Sequence, residues 1–186
     1  SVSVLDHLGV DYCIGGAVAM AAYGYVRATR DVDVFVRHTD MPRISAALRD
    51  ESYVVRTKAE DLQYLAIPGW LTAAQRKAEK ICLDILCPGG DPELSAVEAP
   101  EQFEWDEHEV SVMPVDLLVI SKFQAFVDGQ HRHGGDVQEL FRCGAFEPSN
   151  VAHIIKLMRD DELGEQWKAF AELISKPAKP NRKGWT

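Results

Sequence analysis

The feature that most constrains the fold is a strand-like run at residues 30–36, RDVDVFV, in which aspartate alternates with valine. In a β-strand alternate side chains share a face, so Asp31 and Asp33 would project to one side and the valines to the opposite, apolar side. Like charges held so close raise one another's pKa unless a cation neutralises them. The pair therefore predicts a site for a divalent cation, and magnesium is the ion we expect.

A third carboxylate lies in a second strand-like run, Lys80–Cys87, which ends at Pro88-Gly89-Gly90. An acid such as Asp84 inside so apolar a run is rarely buried without a partner or a metal. If this strand lies beside the first, three carboxylates converge at one edge of a sheet. They could then hold two metal ions in the arrangement used for in-line phosphoryl or nucleotidyl displacement. The candidate metal ligands and catalytic residues are Asp31, Asp33 and Asp84.

A paired glycine precedes these carboxylates. Tyr12–Ile14 is typical of a short buried strand, Gly15-Gly16 of a tight turn, and Ala17–Tyr23 of a helix that ends at Gly24. Without Cβ atoms the backbone can approach a phosphate closely, and the N–H groups and dipole of a helix N-terminus favour negative charge. The segment therefore predicts an anion site, although a paired glycine by itself more often marks a plain tight turn.

Read together, these residues resemble a known family. The ordered string from Gly15-Gly16 through Gly24, Arg27 and Thr29 to the segment 30–33 is similar to the signature of the DNA polymerase β-like nucleotidyltransferase superfamily. Within it, the pattern looks most like the AbiEii-like, abortive-infection toxin branch. One departure is Ala17, which stands where many members carry a serine.

Two downstream segments extend the resemblance. Val115–Ala125 is similar to the family helix that carries a phosphate-binding lysine, here Lys122, and Arg132–Leu140 is similar to an element of the form Arg-x-x-Lys-Asp-x-x-Asp-Leu with Asp136 as its first aspartate. The second segment departs from the family at two positions, Gly135 and Glu139.

The resemblance implies transfer of a nucleoside monophosphate from a nucleoside triphosphate such as ATP, with release of pyrophosphate. Asp31 and Asp33 would bind the metal ions, and Asp84 would complete the second site and accept the proton of the acceptor hydroxyl. The resemblance then implies that the nucleotide is bound by Gly15, Gly16, Arg27, Arg30 and Lys122. Of the two arginines, Arg27 is the weaker candidate.

Three alternatives concern the acceptor and the activity itself. The toxin branch predicts addition of nucleotides to tRNA or another RNA, a neutralising antitoxin partner, and a basic docking surface formed by Lys77, Lys80, Arg132, Lys179, Arg182 and Lys183. The acidic segment Asp91–Glu109 would instead suit a cationic small molecule such as an aminoglycoside. A fold of this type could also have lost catalysis and bind only a nucleotide or a partner protein.

Composition agrees with a compact enzyme. The 186 residues are 46% hydrophobic and 26% charged, and the net charge of −9 argues against sequence-independent binding along a nucleic-acid backbone. No segment is long and apolar enough for a transmembrane helix and no signal sequence is visible, so we expect a cytoplasmic protein with no membrane partner. The four cysteines lack metal-site spacing and are interpreted as reduced core residues.

The order of elements predicts an α/β (α+β) nucleotidyltransferase fold with a mixed central sheet and a C-terminal helical portion. We expect a catalytic core at residues 1–120, a helical portion at 121–175 and a flexible basic tail at 176–186. Asp91–Glu109 is interpreted as a loop with weak helix, His108–Met113 as an edge strand, and the stretch from His131 to Gly135 as a solvated loop with a glycine turn. Two final helices are predicted at Val151–Leu163 and Glu165–Ile174.

Overall fold

The structure, a computed structural model, describes residues 2–58, 63–68 and 82–176. The strands in this part of the chain are β1 (Tyr12–Ile14), β2 (Asp31–Val36), β3 (Tyr53–Lys58), β4 (Gln63–Pro68), β5 (Cys82–Leu86), β6 (Glu101–Trp105) and β7 (His108–Val112). The helices are α1 (Val2–Leu8), α2 (Gly16–Ala22), α3 (Met41–Asp50), α4 (Glu93–Glu98), α5 (Val115–Val127), α6 (Arg132–Arg142), α7 (Pro148–Met158) and α8 (Asp161–Ile174). None of the described helices combines the length and the apolar character needed to cross a membrane.

All seven strands form one mixed sheet in the order β3-β4-β5-β2-β1-β7-β6. Strand β2 lies near the centre, antiparallel to β1 and parallel to β5. Strand β4 is antiparallel to both β3 and β5, and β7 is parallel to β1 and antiparallel to β6. The predicted α/β class with a mixed central sheet is confirmed, and the two aspartate-bearing strands are direct neighbours.

The two faces of the sheet are covered by two separate apolar clusters. On β2, Val34 and Val36 belong to a cluster that includes Ile44 and Leu48 of α3, whereas Phe35 packs against the other cluster. This alternation follows from the period of two along a strand, and it leaves both aspartates of β2 on the face of Phe35. The predicted separation of carboxylates from valines is therefore confirmed.

The C-terminal helices complete the cluster on the aspartate face. Trp167 of α8 is almost fully buried, its ring packs edge-on against Phe123 of α5, and its Nε1 donates to the Pro148 carbonyl oxygen at 3.1 Å. Helix α5 runs through residue 120, and its apolar residues share a cluster with Cys13 of β1. The division at residue 120 stays a prediction, and so does the tail, of which residues 177–186 lie outside the described ranges.

The acidic segment Asp91–Glu109 is more ordered than the sequence suggested. It contains the α4 helix and the β6 strand, and β6 pairs with β7 over its whole length. The strand predicted at the sheet edge, His108–Met113, is therefore internal, and β6 takes the edge. The hairpin turn at Asp106 and Glu107 has positive φ at both residues, +50° and +65°, and the pair lacks the glycine that usually marks such a turn.

Two further local predictions were wrong. The residues predicted to form a glycine turn lie inside α6. Gly134 serves there for close packing of α6 on α5, since a Cβ at this position would approach the ring of Phe126 to 2.8 Å. The break between the last two helices falls earlier than predicted: Arg159 has φ +59°, and the side chain of Asp160 accepts from the Leu163 N–H at 2.9 Å as an N-cap.

The cysteine prediction holds for three positions of the four. The four cysteines are reduced. Cys13 and Cys87 are buried and Cys82 is half-buried, but Cys143, directly after α6, is exposed. Burial raises the pKa of the Cys13 thiol to about 12 and that of Cys87 to about 11, as is usual for a thiol in an apolar core.

Candidate active site

Strand pairing brings the three predicted carboxylates together. In the parallel pair of β2 and β5, Asp33 lies directly opposite Asp84. Asp31 lies two residues earlier on β2 and shares the face of Asp33. All three side chains line one cavity of about 740 Å³. From the sequence, the three carboxylates were expected to converge only if the two strands were neighbours. The fold meets that condition.

The crowding of these carboxylates shows in the titration of Asp33. Its pKa rises from 3.8 to about 6, first because the carboxyl is largely buried and then because Asp31 and Asp84 repel its charge. Lys122 and Arg132 act in the opposite direction and offset part of the effect. Burial and the neighbouring carboxylates together therefore disfavour the ionised form of Asp33.

Hydrogen bonds orient the two outer carboxylates. The side-chain amide of Gln63, on β4, donates to Asp84 Oδ1 at 2.7 Å. The Thr29 hydroxyl, just before β2, donates to Asp31 Oδ1 at 2.7 Å. Asp84 is 9% exposed, so its carboxylate faces a nearly closed part of the cavity, and Gln63 satisfies one of its oxygens there.

The paired glycine lies against the same carboxylates. Gly16 has φ +59°, and a Cβ there would fall 1.7 Å from Asp33 Oδ2, while a Cβ on Gly15 would fall 2.4 Å from the ring of Phe35. A side chain at either position would require Asp33 or Phe35 to shift. The Gly15 N–H donates to the Asp33 carbonyl oxygen at 2.9 Å. That amide is therefore used inside the fold, and the amides that a helix N-terminus leaves without intrahelical partners begin at Gly16.

Cationic side chains also form part of the cavity wall. Among the predicted nucleotide-binding residues, Arg27, Arg30 and Lys122 all line it, together with Gly16. Arg27 and Lys122 also bind Asp136 of α6: the guanidinium at 3.2 and 3.3 Å, the ammonium at 3.0 Å. Burial lowers the pKa of Lys122, and Asp136 and Asp33 oppose that shift.

Several cavity residues escaped the sequence analysis. Gln63, Gln130 and His133 line the cavity, and the stretch predicted as a solvated loop instead begins α6. The signal that could have revealed α6 is the helical spacing of its buried residues Asp136, Val137 and Leu140. The basic residues Lys77, Lys80, Lys179, Arg182 and Lys183 lie outside the described residues, which leaves Arg132 as the member of the predicted docking surface seen at the cavity.

The oxygen ligands of Asp31, Asp33 and Asp84 suit a hard divalent cation. Three carboxylates provide only oxygen ligands, which are those that magnesium prefers, and their mutual repulsion is what a cation would relieve. Within residues 2–58, 63–68 and 82–176, no three His, Cys, Asp or Glu side chains close into a ready-made metal cage. Strand register and charge, rather than closed ligand geometry, therefore define the cluster.

Comparison with known proteins adds the fold. No family model matches the chain, and no curated protein matches it. Among solved structures, ANT(2'')-Ia in complex with adenylyl-2''-tobramycin matches with a TM-score of 0.57 at 17% identity, over 90% of this chain and 92% of that one. The lincosamide antibiotic adenylyltransferase LnuA, lincomycin-bound, matches with a TM-score of 0.51 at 13% identity, over 75% of this chain and 90% of that one.

A third match, an antigenic nucleotidyltransferase-like protein from Paracoccidioides brasiliensis, has a TM-score of 0.53 at 13% identity, over 89% of this chain and 87% of that one. At such identities likeness establishes architecture alone. The mixed sheet with its carboxylates on adjacent parallel strands, and the likeness of 75 to 90% of the chain to these structures, show that the protein has the nucleotidyltransferase fold.

Proposed function

We propose that the protein is a magnesium-dependent nucleotidyltransferase that moves a nucleoside monophosphate from a nucleoside triphosphate to an acceptor hydroxyl. The observation that carries the proposal is the register of β2 and β5, which sets Asp33 opposite Asp84 with Asp31 on the same face. The same cavity is lined by these carboxylates and by the cationic side chains Arg27, Arg30 and Lys122, as a triphosphate and its counter-ions require.

The carboxylates Asp31, Asp33 and Asp84 would hold two magnesium ions. When bound, the ions supply neutralisation of the triphosphate charge and polarisation of the reacting oxygens. The remaining chemistry belongs to the chain's own side chains. Asp84, held through one oxygen by Gln63, would accept the proton of the acceptor hydroxyl as general base.

The phosphates would lie against the cationic wall. Arg30 and Lys122, with Arg27 beside them, would stabilise the β- and γ-phosphates, and the amides at the start of α2 from Gly16 onward would contribute hydrogen bonds. As the acceptor oxygen forms its bond to the α-phosphorus, the bond to the β-phosphate oxygen breaks. Pyrophosphate then leaves with the bonding electrons, and these cations offset its charge.

For the acceptor we propose the end of an RNA such as tRNA, in a toxin-like activity restrained by an antitoxin protein. Support comes from the motif resemblance to the AbiEii-like branch and from Arg132, a cation at the cavity. Docking a single RNA end needs few phosphate contacts, so the net charge of −9 is compatible with it.

A small-molecule hydroxyl is the second candidate acceptor. A groove of about 370 Å³ shares Phe35, Gln63 and Leu86 with the main cavity, and its lining includes Asp91 and Glu93. A cationic acceptor would be attracted to such a groove. Two solved structures of similar fold are antibiotic adenylyltransferases, which makes an antibiotic acceptor the natural probe.

The test is to incubate the protein with magnesium and each labelled nucleoside triphosphate, adding total RNA, an aminoglycoside or a lincosamide. We expect label on one acceptor class with the native chain. The matched control is Asp84→Asn, which keeps the side-chain shape and should lower turnover roughly a hundredfold or more, the scale of a lost general base.

The outcomes separate the proposals. Label on RNA supports the toxin-like activity, and label on a drug alone replaces it with the small-molecule activity. Absence of label on every acceptor, together with measurable triphosphate binding, would contradict transfer and leave a nucleotide-binding module. Undiminished turnover in Asp84→Asn would remove the general-base role.

A further inference from the structure

The Asp136 carboxylate joins three segments of the chain behind the cavity wall. It accepts two hydrogen bonds from Arg27, in the loop that leads into β2, and one from Lys122 of α5. Asp136 itself lies on α6, and its residue is only 6% exposed. A single buried carboxylate thus fixes the relative position of two cations that line the cavity.

The surroundings of Lys122 explain why it needs such a partner. Its side chain is 5% exposed, so its charge has lost most of its hydration, and the guanidinium of Arg27 repels it further. The other groups that face it are Asp33 of β2 and His133 of α6. Burial and the neighbouring cations lower the pKa of His133, which therefore adds no third positive charge at neutral pH.

We propose that Asp136 is a positioning residue that holds Lys122 and Arg27 side by side on the cavity wall, so that the site prefers a polyphosphate chain to a single phosphate. The inference rests on the proposed function and deepens it. An ammonium has three donors, and one of them is directed at Asp136. Two donors of Lys122 are thereby available for phosphate oxygens, beside a guanidinium held at fixed orientation.

A competing role predicts the opposite result. If Asp136 merely neutralised part of the charge of Lys122 and Arg27 until a phosphate displaced it, its removal would raise the combined charge of the three groups from +1 to +2. Phosphate binding would then tighten. If it positions them, its removal leaves the buried Lys122 and the partly exposed Arg27 next to each other without that counter-charge. Lys122 then turns away or loses its proton, and binding of the polyphosphate weakens.

The experiment measures binding of inorganic tripolyphosphate and of orthophosphate to the full chain in magnesium buffer by calorimetry. These probes contain no base, so the identity of the nucleotide does not matter. We expect Asp136→Asn to weaken tripolyphosphate binding about tenfold or more and to change orthophosphate binding by a much smaller factor. Asp136→Glu should restore part of the affinity, because it returns the carboxylate.

A stability control comes from the same helix. Val137→Ala removes a fully buried side chain of α6 that has no polar contact, so it lowers the melting temperature without altering either affinity. A loss of tripolyphosphate binding in this variant equal to that in Asp136→Asn would overturn the proposal, because destabilisation alone would then account for both.

A double-mutant cycle isolates the positioning role and also covers the case in which Asp136→Asn folds poorly. Replacing both members of the pair, Asp136→Asn with Lys122→Met, leaves no unpaired ammonium in the core. We expect Asp136→Asn to cost less in the Lys122→Met background than in the native chain, because only Arg27 then loses its partner. Fully additive losses, unchanged or tighter binding in Asp136→Asn, or a native chain that binds no tripolyphosphate would each overturn the inference. A native chain that binds tripolyphosphate but transfers no nucleotide would instead contradict the proposed function alone.

Discussion

Replacing Asp33 with asparagine should stabilise the protein at neutral pH while it abolishes nucleotide transfer. The pKa of Asp33 rises from 3.8 to about 6 in the folded chain, and each pKa unit corresponds to about 1.4 kcal/mol of stability. Asparagine has nearly the same shape and carries no charge. The expected gain in the free energy of unfolding is therefore roughly 2 to 3 kcal/mol when Asp33 would otherwise be ionised.

The pH dependence has a definite sign. Because the folded-state pKa of Asp33 lies above its unfolded value, the stability that this group contributes is complete below 3.8 and is lost as the pH rises through about 6. The difference between the variant and the native chain should be near zero at about pH 4. It should grow through about pH 5 to 6 and become constant above about pH 7.

Urea denaturation of both proteins across this range, without divalent cations, measures the difference directly. The control is Asp11→Asn, which removes one carboxylate from an exposed ion pair with Arg37 and should change stability little at any pH. Adding magnesium should then stabilise the native chain and leave Asp33→Asn unaffected, because the variant lacks one of the proposed metal ligands. A variant less stable than the native chain at about pH 7.5, or a gap independent of pH, would refute the electrostatic reasoning.

Two further changes test the packing around the site and the thiols. In thermal denaturation, Gly16→Ala should destabilise the chain by about 1 to 3 kcal/mol more than Gly9→Ala. Both residues have φ +59°, but only a Cβ at Gly16 would collide with Asp33. Equal losses would show that backbone conformation alone matters. Iodoacetamide should modify the exposed Cys143 quickly, whereas Cys13, which is buried and has its pKa raised to about 12, should react only on unfolding. Mass spectrometry of the modified peptides measures both rates. Equal rates at the two thiols would contradict the buried position of Cys13.

The local parts of the site could be predicted from the sequence. The alternation in residues 30–36 depends only on the period of a strand, and the glycine pair before a helix of small residues depends only on steric freedom. Both patterns place Asp31, Asp33 and Gly16 without knowledge of any distant contact. Lys122 was found differently, through the family resemblance, and the structure places it at the cavity.

The local patterns were least reliable where glycine was ambiguous or missing. Gly134 and Gly135 carry the composition of a turn, yet they lie inside α6, because the absence of a side chain at Gly134 also permits close packing on Phe126. At the β6–β7 hairpin the turn residues Asp106 and Glu107 carry no glycine, so nothing local marked it. At Gly134 the conformation depends on contact with another element.

Contacts between distant segments determine the remainder of the site. The register that sets Asp33 opposite Asp84 depends on which strands pair, and the binding of Asp136 to both Arg27 and Lys122 depends on how α6 packs against α5 and the loop before β2. The raised pKa of Asp33 arises first from burial and then from the nearby carboxylates Asp31 and Asp84. A residue type and its spacing specify what a side chain can do and which face of its own element it takes. Its neighbours, its burial and therefore its charge are set when elements far apart in the chain pack together, which no local pattern encodes.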